Sequence, residues 1–296
     1  MLTRQKILLR ILADTGGKCT KIQLTKLSFL LANEGRSDQL KTFYEFLPYL
    51  FGPYSFTLNH EIDTLVRFGY IKLPEENDIE LTTIGKKASR LNSDPRLDRD
   101  FELLHTSYGS LNQNVLLTRV YEKYPWFTAN SKTVNKRKAT IEPAICANYT
   151  IGYQTFQVDG LLNHLMHCGI AKLIDTRSNP ISRRFGFHKS TLMRLCQSVG
   201  LRYEHIQELG VPSSWRQELE TESAYNALFQ RYEREILLKQ EKILTEVASN
   251  MKTGPTALLC READPVHCHR SHLASKLQTL NNLAVIDLGV SNARDI

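Results

Sequence analysis

The chain has 296 residues, of which 42% are hydrophobic, with a formal charge of +7 and a pI near 9.0. That length suits two domains, because single domains cluster near about 100–150 residues. Apolar runs such as Ile7–Leu9 fall far short of the roughly 20 residues a membrane helix needs. Arg4, Lys6 and Arg10 interrupt any leader-like stretch, and the six cysteines offer no C-x-x-C pair. No membrane association, secretion signal or disulfide framework is therefore expected, and the expected location is cytoplasmic.

Residues 4–13 place Ile7, Leu8, Ile11 and Leu12 on one helical stripe, which Gly16-Gly17 ends. Thr20 is a candidate cap for a helix over 21–33, carrying Leu24, Leu27, Leu30 and Leu31. An aromatic loop from Phe43 to Tyr54 turns at Gly52-Pro53. Ser55 or Thr57 then caps a helix over about 57–68. Tyr70–Leu73 and Ile79–Thr82, on either side of the acidic turn Pro74–Asp78, predict a hairpin. Three helices followed by a two-stranded wing predict a winged helix over 1–92. Its third helix offers Asn59, His60 and Arg67 beside Glu61 and Asp63, a poor face for reading DNA. A protein partner is as good an expectation for this module.

The stretches TKIQLTKLSFLL (20–31), YEFLPYLFGPYS (44–55) and LVRFGYI (65–71) resemble antitoxin-like winged-helix domains of the SocA type. The likeness spans about the first 90 residues. Residues 93–145 are expected to form a helical connector over 98–128 and a basic linker over 128–140 bearing Lys132, Lys136, Arg137 and Lys138.

From 146 to 296 strands alternate with helices. Strands are expected at 149–153, 171–175, 201–206, 256–260 and 283–288. Helices are expected at 158–168, 189–199, 222–250 and 269–280. This alternation predicts an α/β domain with a mostly parallel sheet and helices on both faces. Ligands of such sheets bind at the carboxyl ends of the strands. The residues expected there are Asp175 and Arg177 after one strand, and Cys260, Arg261 and Glu262 after another, with Cys268, His269 and Arg270 opening the next helix.

Between Asp175 and Glu204 there is no acidic residue, but there are six cations: Arg177, Arg183, Arg184, Lys189, Arg194 and Arg202. Phe185, Phe187 and His188 are interleaved. Arginine forks suit phosphates, and aromatic faces stack on unpaired bases. Nucleic acid is thus the expected partner, DNA first and RNA second. Cys260, Cys268, His267, His269 and His272 are metal-ligand types, but their irregular spacing argues against zinc. Neither metal nor cofactor is expected. Of the two thiols, Cys268 at a helix start beside His269 and Arg270 is the better candidate thiolate.

The segments TIGYQTF (150–156), GIAKLIDTRSNPISRRFGF (169–187), LRYEHIQELG (201–210) and LLCREADPVHCHR (258–270) resemble the domain-of-unknown-function family 488. The matching positions are Asp175, Arg177, Pro180, Ser182, Arg183, Cys260, Glu262, Cys268, His269 and Arg270. The sequence departs from the family pattern at Leu209-Gly210-Val211, where a second glycine is usual. The resemblance implies the fold and the site, and no reaction.

The expected function is a DNA- or RNA-processing enzyme, a hydrolase or lyase of glycosylase or nuclease type, in genome maintenance or anti-phage defence. Asp175, Glu262, His269 and Cys268 are the candidate catalytic residues. Arg177, Ser182, Arg183, Arg184, Phe185, Lys189, Tyr203 and Arg270 are the candidate nucleic-acid contacts. A non-catalytic nucleic-acid-binding regulator, or an antitoxin-like interaction protein, is the alternative.

Overall fold

A computed structural model describes residues 1–90, 94–133, 138–216 and 219–289, in two compact units, Met1–Thr140 and Ile141–Ile296. Among the described residues no helix is long and apolar enough to cross a membrane.

The first unit runs α1 (Thr3–Asp14), β1 (Lys18–Thr20), α2 (Lys21–Glu34), β2 (Leu47–Tyr49), β3 (Gly52–Tyr54), α3 (Phe56–Arg67), β4 (Ile71–Lys72), β5 (Asp78–Leu81), α4 (Thr83–Ala88), α5 (Pro95–Tyr108) and α6 (Gln113–Lys123). Thr20 caps α2 as expected. Its hydroxyl accepts from Gln23 N while the Gln23 side chain accepts from Thr20 N, a reciprocal capping box. Ser55, rather than Thr57, caps α3 by accepting from Leu58 N. The antiparallel sheet β1-β5-β4 contains the expected hairpin plus one strand that three residues were too few to announce.

Two expectations need correction. The aromatic segment is not a loop: β2 and β3 pair antiparallel with Pro48 opposite Pro53, and Gly52-Pro53 lies in a strand. Prolines argue against strands because they cannot donate to a ladder, and here they are tolerated in a two-stranded ribbon. Residues 98–128 are not one helical connector either. Gly109 separates α5 from α6, and Leu97, Phe101, Leu104, Leu116 and Val120 join the core of Ile7, Leu27, Phe29 and Ile62. Of the basic linker, Lys136 and Arg137 lie outside the described residues, while Lys132 and Lys138 are exposed.

The second unit runs β6 (Asn148–Gly152), α7 (Val158–His167), β7 (Lys172–Asp175), α8 (Lys189–Ser198), β8 (Arg202–His205), α9 (Glu222–Glu235), α10 (Glu241–Met251), β9 (Thr256–Cys260), α11 (His269–Asn281) and β10 (Val285–Asp287). The five strands form a parallel sheet in the order β10-β6-β9-β7-β8, with helices on both faces. All residues of β6 and β9 are buried, as apolar strands between two helical layers must be.

The expected helix over 222–250 is broken into α9 and α10 by a 3-10 turn, Leu237–Lys239. Continuing the Leu228–Tyr232 face would turn Lys239 inward. The break resets the register so that Leu237, Leu244, Val247 and Met251 face the core instead.

The topology selects the place for a site. Right-handed crossovers send α7 and α8 to one face of the sheet and α9 to α11 to the other. Central β9 therefore hands its chain to one face, while its neighbours β6 and β7 hand theirs to the opposite face. This opens a crevice beyond the carboxyl end of β9, the usual ligand position in open α/β sheets.

Candidate functional site at the carboxyl end of the parallel sheet

Two polar clusters stand side by side at this edge. The first follows β7. Asp175 is fully buried, and its carboxylate accepts from Arg177 Nε at 2.8 Å, Arg177 Nη2 at 2.5 Å and the Tyr203 hydroxyl at 2.6 Å. Arg177 spends its remaining nitrogen on Phe187 O at 2.9 Å and the Tyr153 hydroxyl at 3.1 Å. Tyr153 and Phe187 stack with ring centroids 4.2 Å apart. Burial opposes the Arg177 charge, but the hydrogen bonds and charge of Asp175 outweigh it and hold the guanidinium pKa above its ordinary value. Burial, then Asp175, pushes the Tyr203 phenol up.

This first cluster is closed, which corrects three expectations. Asp175 is held by an ion pair and a phenol and offers no face to water. Arg177 is occupied and does not reach out to phosphate. Tyr203 points at Asp175 rather than outward to a base. All three position the loop after β7. Two neighbours secure the same loop: the His205 ring Nε2 donates to Arg177 O at 2.8 Å, and Ser178 Oγ donates to Val211 O at 2.6 Å. At the position where the sequence departs from the family pattern, Gly210 is required. A Cβ there would lie 2.2 Å from Ser178 N.

The second cluster follows β9. Cys260 Sγ donates to Glu262 Oε2 at 2.9 Å, and Cys268 Sγ donates to the same oxygen at 3.3 Å. His269 Nδ1 lies 3.5 Å from Cys260 Sγ. The other ring nitrogen, Nε2, lies 3.2 Å from Thr176 O; a carbonyl only accepts, so this nitrogen carries the proton. The second Glu262 oxygen pairs with Arg216 Nη1 at 2.9 Å. Burial, reinforced by Cys260, raises the Glu262 pKa. Burial, reinforced by hydrogen bonding to Cys260, raises that of Cys268. Cys260 goes the other way: burial opposes its thiolate, but Cys268 and His269 more than offset this. Of the two thiols it is therefore Cys260, and not Cys268 as expected, whose ionised form the neighbouring groups favour.

The loop that carries Glu262 is braced from below. Arg270, expected to hold phosphate, is fully buried and donates instead to Glu262 O at 2.5 Å and Ala263 O at 2.9 Å. Gly152 at the end of β6 lets this loop approach: a Cβ there would fall 1.7 Å from Glu262 O. Above the cluster is a cavity of about 50 Å³, lined by Glu262, His269, Arg216, Tyr225, Phe229 and His267 among others. The Glu262 side chain is 26% exposed, whereas Cys260, Cys268 and His269 are buried behind it.

Of the remaining candidates, Arg183 and Arg184 on the loop after β7 and Lys189 at the start of α8 are exposed, and Ser182 and Phe185 are half-buried. Arg184 is partly committed, donating to Gln154 O at 2.8 Å and to Phe156 O, with its guanidinium over the Phe187 ring. Ser182 Oγ accepts from Arg184 N at 3.1 Å. Lys189 borders an open groove of about 850 Å³ together with Ser178, Asn179, Pro180 and His205. Sequence reasoning missed Arg216, Thr176 and His205. Nothing in SSWRQE marks Arg216, whose role depends on a contact 46 residues away.

An open parallel α/β domain with its polar groups at the carboxyl edge is the class this unit defines. Residues 157–277 match the family described as Domain of unknown function DUF488, so the C-terminal part carries a domain of that family. No curated protein and no solved structure matches the chain.

Proposed function

We propose that this protein is a hydrolytic enzyme acting on nucleic acid, DNA in preference to RNA, with its reaction at the carboxyl end of β9. The observation that carries this reading is Glu262: a carboxylate at the crevice of the sheet, lining a cavity and held by Arg216 at 2.9 Å. A carboxylate so placed takes a proton from water or gives one to a leaving group, the central task in cleaving a glycosidic or phosphodiester bond. The Arg216 guanidinium beside it suits a phosphate or a developing negative charge. Arg183, Lys189 and Arg194, all exposed, belong to the acid-free run that opens from the same sheet edge. They supply the sequence-independent attraction that phosphate backbones require.

The first unit supports the same reading more weakly. Its order α1, β1, α2, β2, β3, α3, β4, β5 differs from that expected of a winged helix by the inserted β2–β3 ribbon, and we read it as a module of that kind, which meets DNA or docks on a protein partner. On α3, His60, Asp63 and Arg67 are exposed, while Glu61 is buried against Arg4 and Tyr44. Roles in genome maintenance or defence against foreign DNA are the settings this combination fits.

The test is incubation of the purified chain with labelled single- and double-stranded DNA and RNA, unmodified and carrying modified bases, analysed with and without hot alkali. Breaks that need alkali identify base excision, and direct breaks identify backbone cleavage. Retention of nucleic acid without any product would replace the enzyme by a binding regulator.

A further inference from the structure

We infer that Cys260, Cys268 and His269 form a zinc site. Their donor atoms, two sulfurs and an imidazole nitrogen, all lie within 4.8 Å of one another, and all three residues are buried. The 3.5 Å between Cys260 Sγ and His269 Nδ1 suits two ligands on one tetrahedral ion, given Zn–S near 2.3 Å and Zn–N near 2.0–2.1 Å. Two thiolates and an imidazole are donors that select zinc over hard cations such as magnesium or calcium.

Three further observations fit a metal better than a packing cluster. First, the His269 tautomer is set for ligation. Nε2–H faces the backbone carbonyl of Thr176, which leaves the Nδ1 lone pair turned toward the sulfurs. A ligating histidine is usually fixed in this way by its outer nitrogen. The ring is also held edge-on against Tyr232, with centroids 5.3 Å apart. Second, the charges balance. Two thiolates neutralise Zn²⁺, and the adjoining Glu262–Arg216 pair is itself neutral, so the buried site carries no net charge. Third, the other metal-ligand types in this segment are engaged elsewhere. His267 bridges Asp264 and Glu222, and His272 pairs with Glu233.

Binding the ion displaces both thiol protons to solvent and forms two Zn–S bonds and one Zn–N bond. Three protein ligands leave one position, and it opens on the side of the cavity where Glu262 stands. Glu262 Oε2, which accepts from both thiols, stands beside that position while the other oxygen is held by Arg216, and Glu262 is assigned to the water there rather than to the ion. Three ligands with an open fourth position is the arrangement of hydrolytic rather than structural zinc sites. The spacing C-x₇-C-H hid the site from sequence inspection, since a turn and a helix start, rather than a C-x-x-C knuckle, bring the donors together.

This inference deepens the proposed function by supplying the group that would activate water, but its test does not depend on turnover. The full-length chain is expressed with zinc in the medium and purified without chelator, and its metal is measured by inductively coupled plasma mass spectrometry. The metal-stripped chain is then titrated with cobalt(II). One zinc per chain, and a thiolate-to-cobalt charge-transfer band at one equivalent, are expected. Cys260→Ser and Cys268→Ser should weaken zinc affinity at least about tenfold. Glu262→Gln should keep one zinc per chain. Because buried cysteine variants can fail to fold, protection of both thiols from alkylation by zinc is measured in the wild-type chain as well. Zinc no higher than in the buffer together with no charge-transfer band, or loss of zinc from Glu262→Gln as complete as from Cys260→Ser, overturns the site. Zinc without nucleic-acid turnover upholds the site and removes the nucleic-acid reading. Turnover without zinc does the reverse.

Discussion

The ends of β7 and β9 are adjacent in the sheet and similar in sequence character, yet they are built to opposite ends. After β7, Asp175, Arg177 and Tyr203 saturate one another in the interior. After β9, the buried donors Cys260, Cys268 and His269 sit behind a carboxylate that reaches a cavity. A charged motif at a strand end is therefore not a site by itself. Both carboxylates carry internal partners, and what separates them is access: Glu262 still borders a cavity, whereas Asp175 has no exposed surface.

The largest expected effect sharpens that contrast. Glu262→Gln should lower turnover about 10²–10⁴-fold, the usual loss for a general acid–base group, while changing stability by about 1 kcal/mol or less. Asp175→Asn should do the opposite. It leaves the Arg177 charge buried without its partner, at a cost of about 3–5 kcal/mol, and keeps turnover at temperatures where the variant is folded. Urea unfolding and product formation, measured on both variants, would break the comparison if the two profiles were interchanged.

A buried cation held by a carbonyl rather than a carboxylate provides the control for the Asp175–Arg177 pair. Lys26 is 2% exposed, its Nζ donates to Pro53 O at 2.7 Å, and burial pulls its pKa down to about 7. Its folded pKa lies below its unfolded value, so between about pH 7 and 10 the unfolded chain binds more protons and stability rises with pH. Lys26→Met should raise the unfolding free energy of the first unit at pH 7, measured by urea titration, by up to a few kcal/mol and flatten that rise. No change in slope between pH 7 and 9 would show the amine to be solvated.

Gly152→Ala tests the β9 cluster from below. Its Cβ would meet Glu262 O, so a loss of about 1–3 kcal/mol is expected, with weaker turnover than the stability loss explains. Smallest is the exposed cation Arg183. Arg183→Ala should leave stability within about 0.5 kcal/mol and reduce the salt slope of nucleic-acid binding by about 1. An unchanged slope would show that this arginine does not meet phosphate.

Much of the architecture was legible because strand and helix periods are local. The five parallel strands, the capping box at Thr20 and the helix starts at Lys189 and His269 could all be read from neighbouring residues. Gly and Pro misled at β2 and β3, and the long helix over 222–250 concealed a register break that only the core reveals. At the site, residue types were legible and roles were not. Asp175, Arg177, Tyr203 and Arg270 read as reactive because they are charged or aromatic at a strand end or helix start, but each is consumed by partners from 2 to 28 residues away. Arg216 and Thr176 were invisible, because their contacts with Glu262 and His269 span 46 and 93 residues.

The central claim is that chemistry happens at Glu262 on a nucleic acid. Its most direct test is product formation from labelled DNA and RNA, with and without alkali, by the wild-type chain and Glu262→Gln side by side. Cleavage or base loss by the wild type, abolished in a Glu262→Gln protein that still binds the substrate, is the predicted result. Equal product from both proteins, or none from either on any substrate, would contradict it.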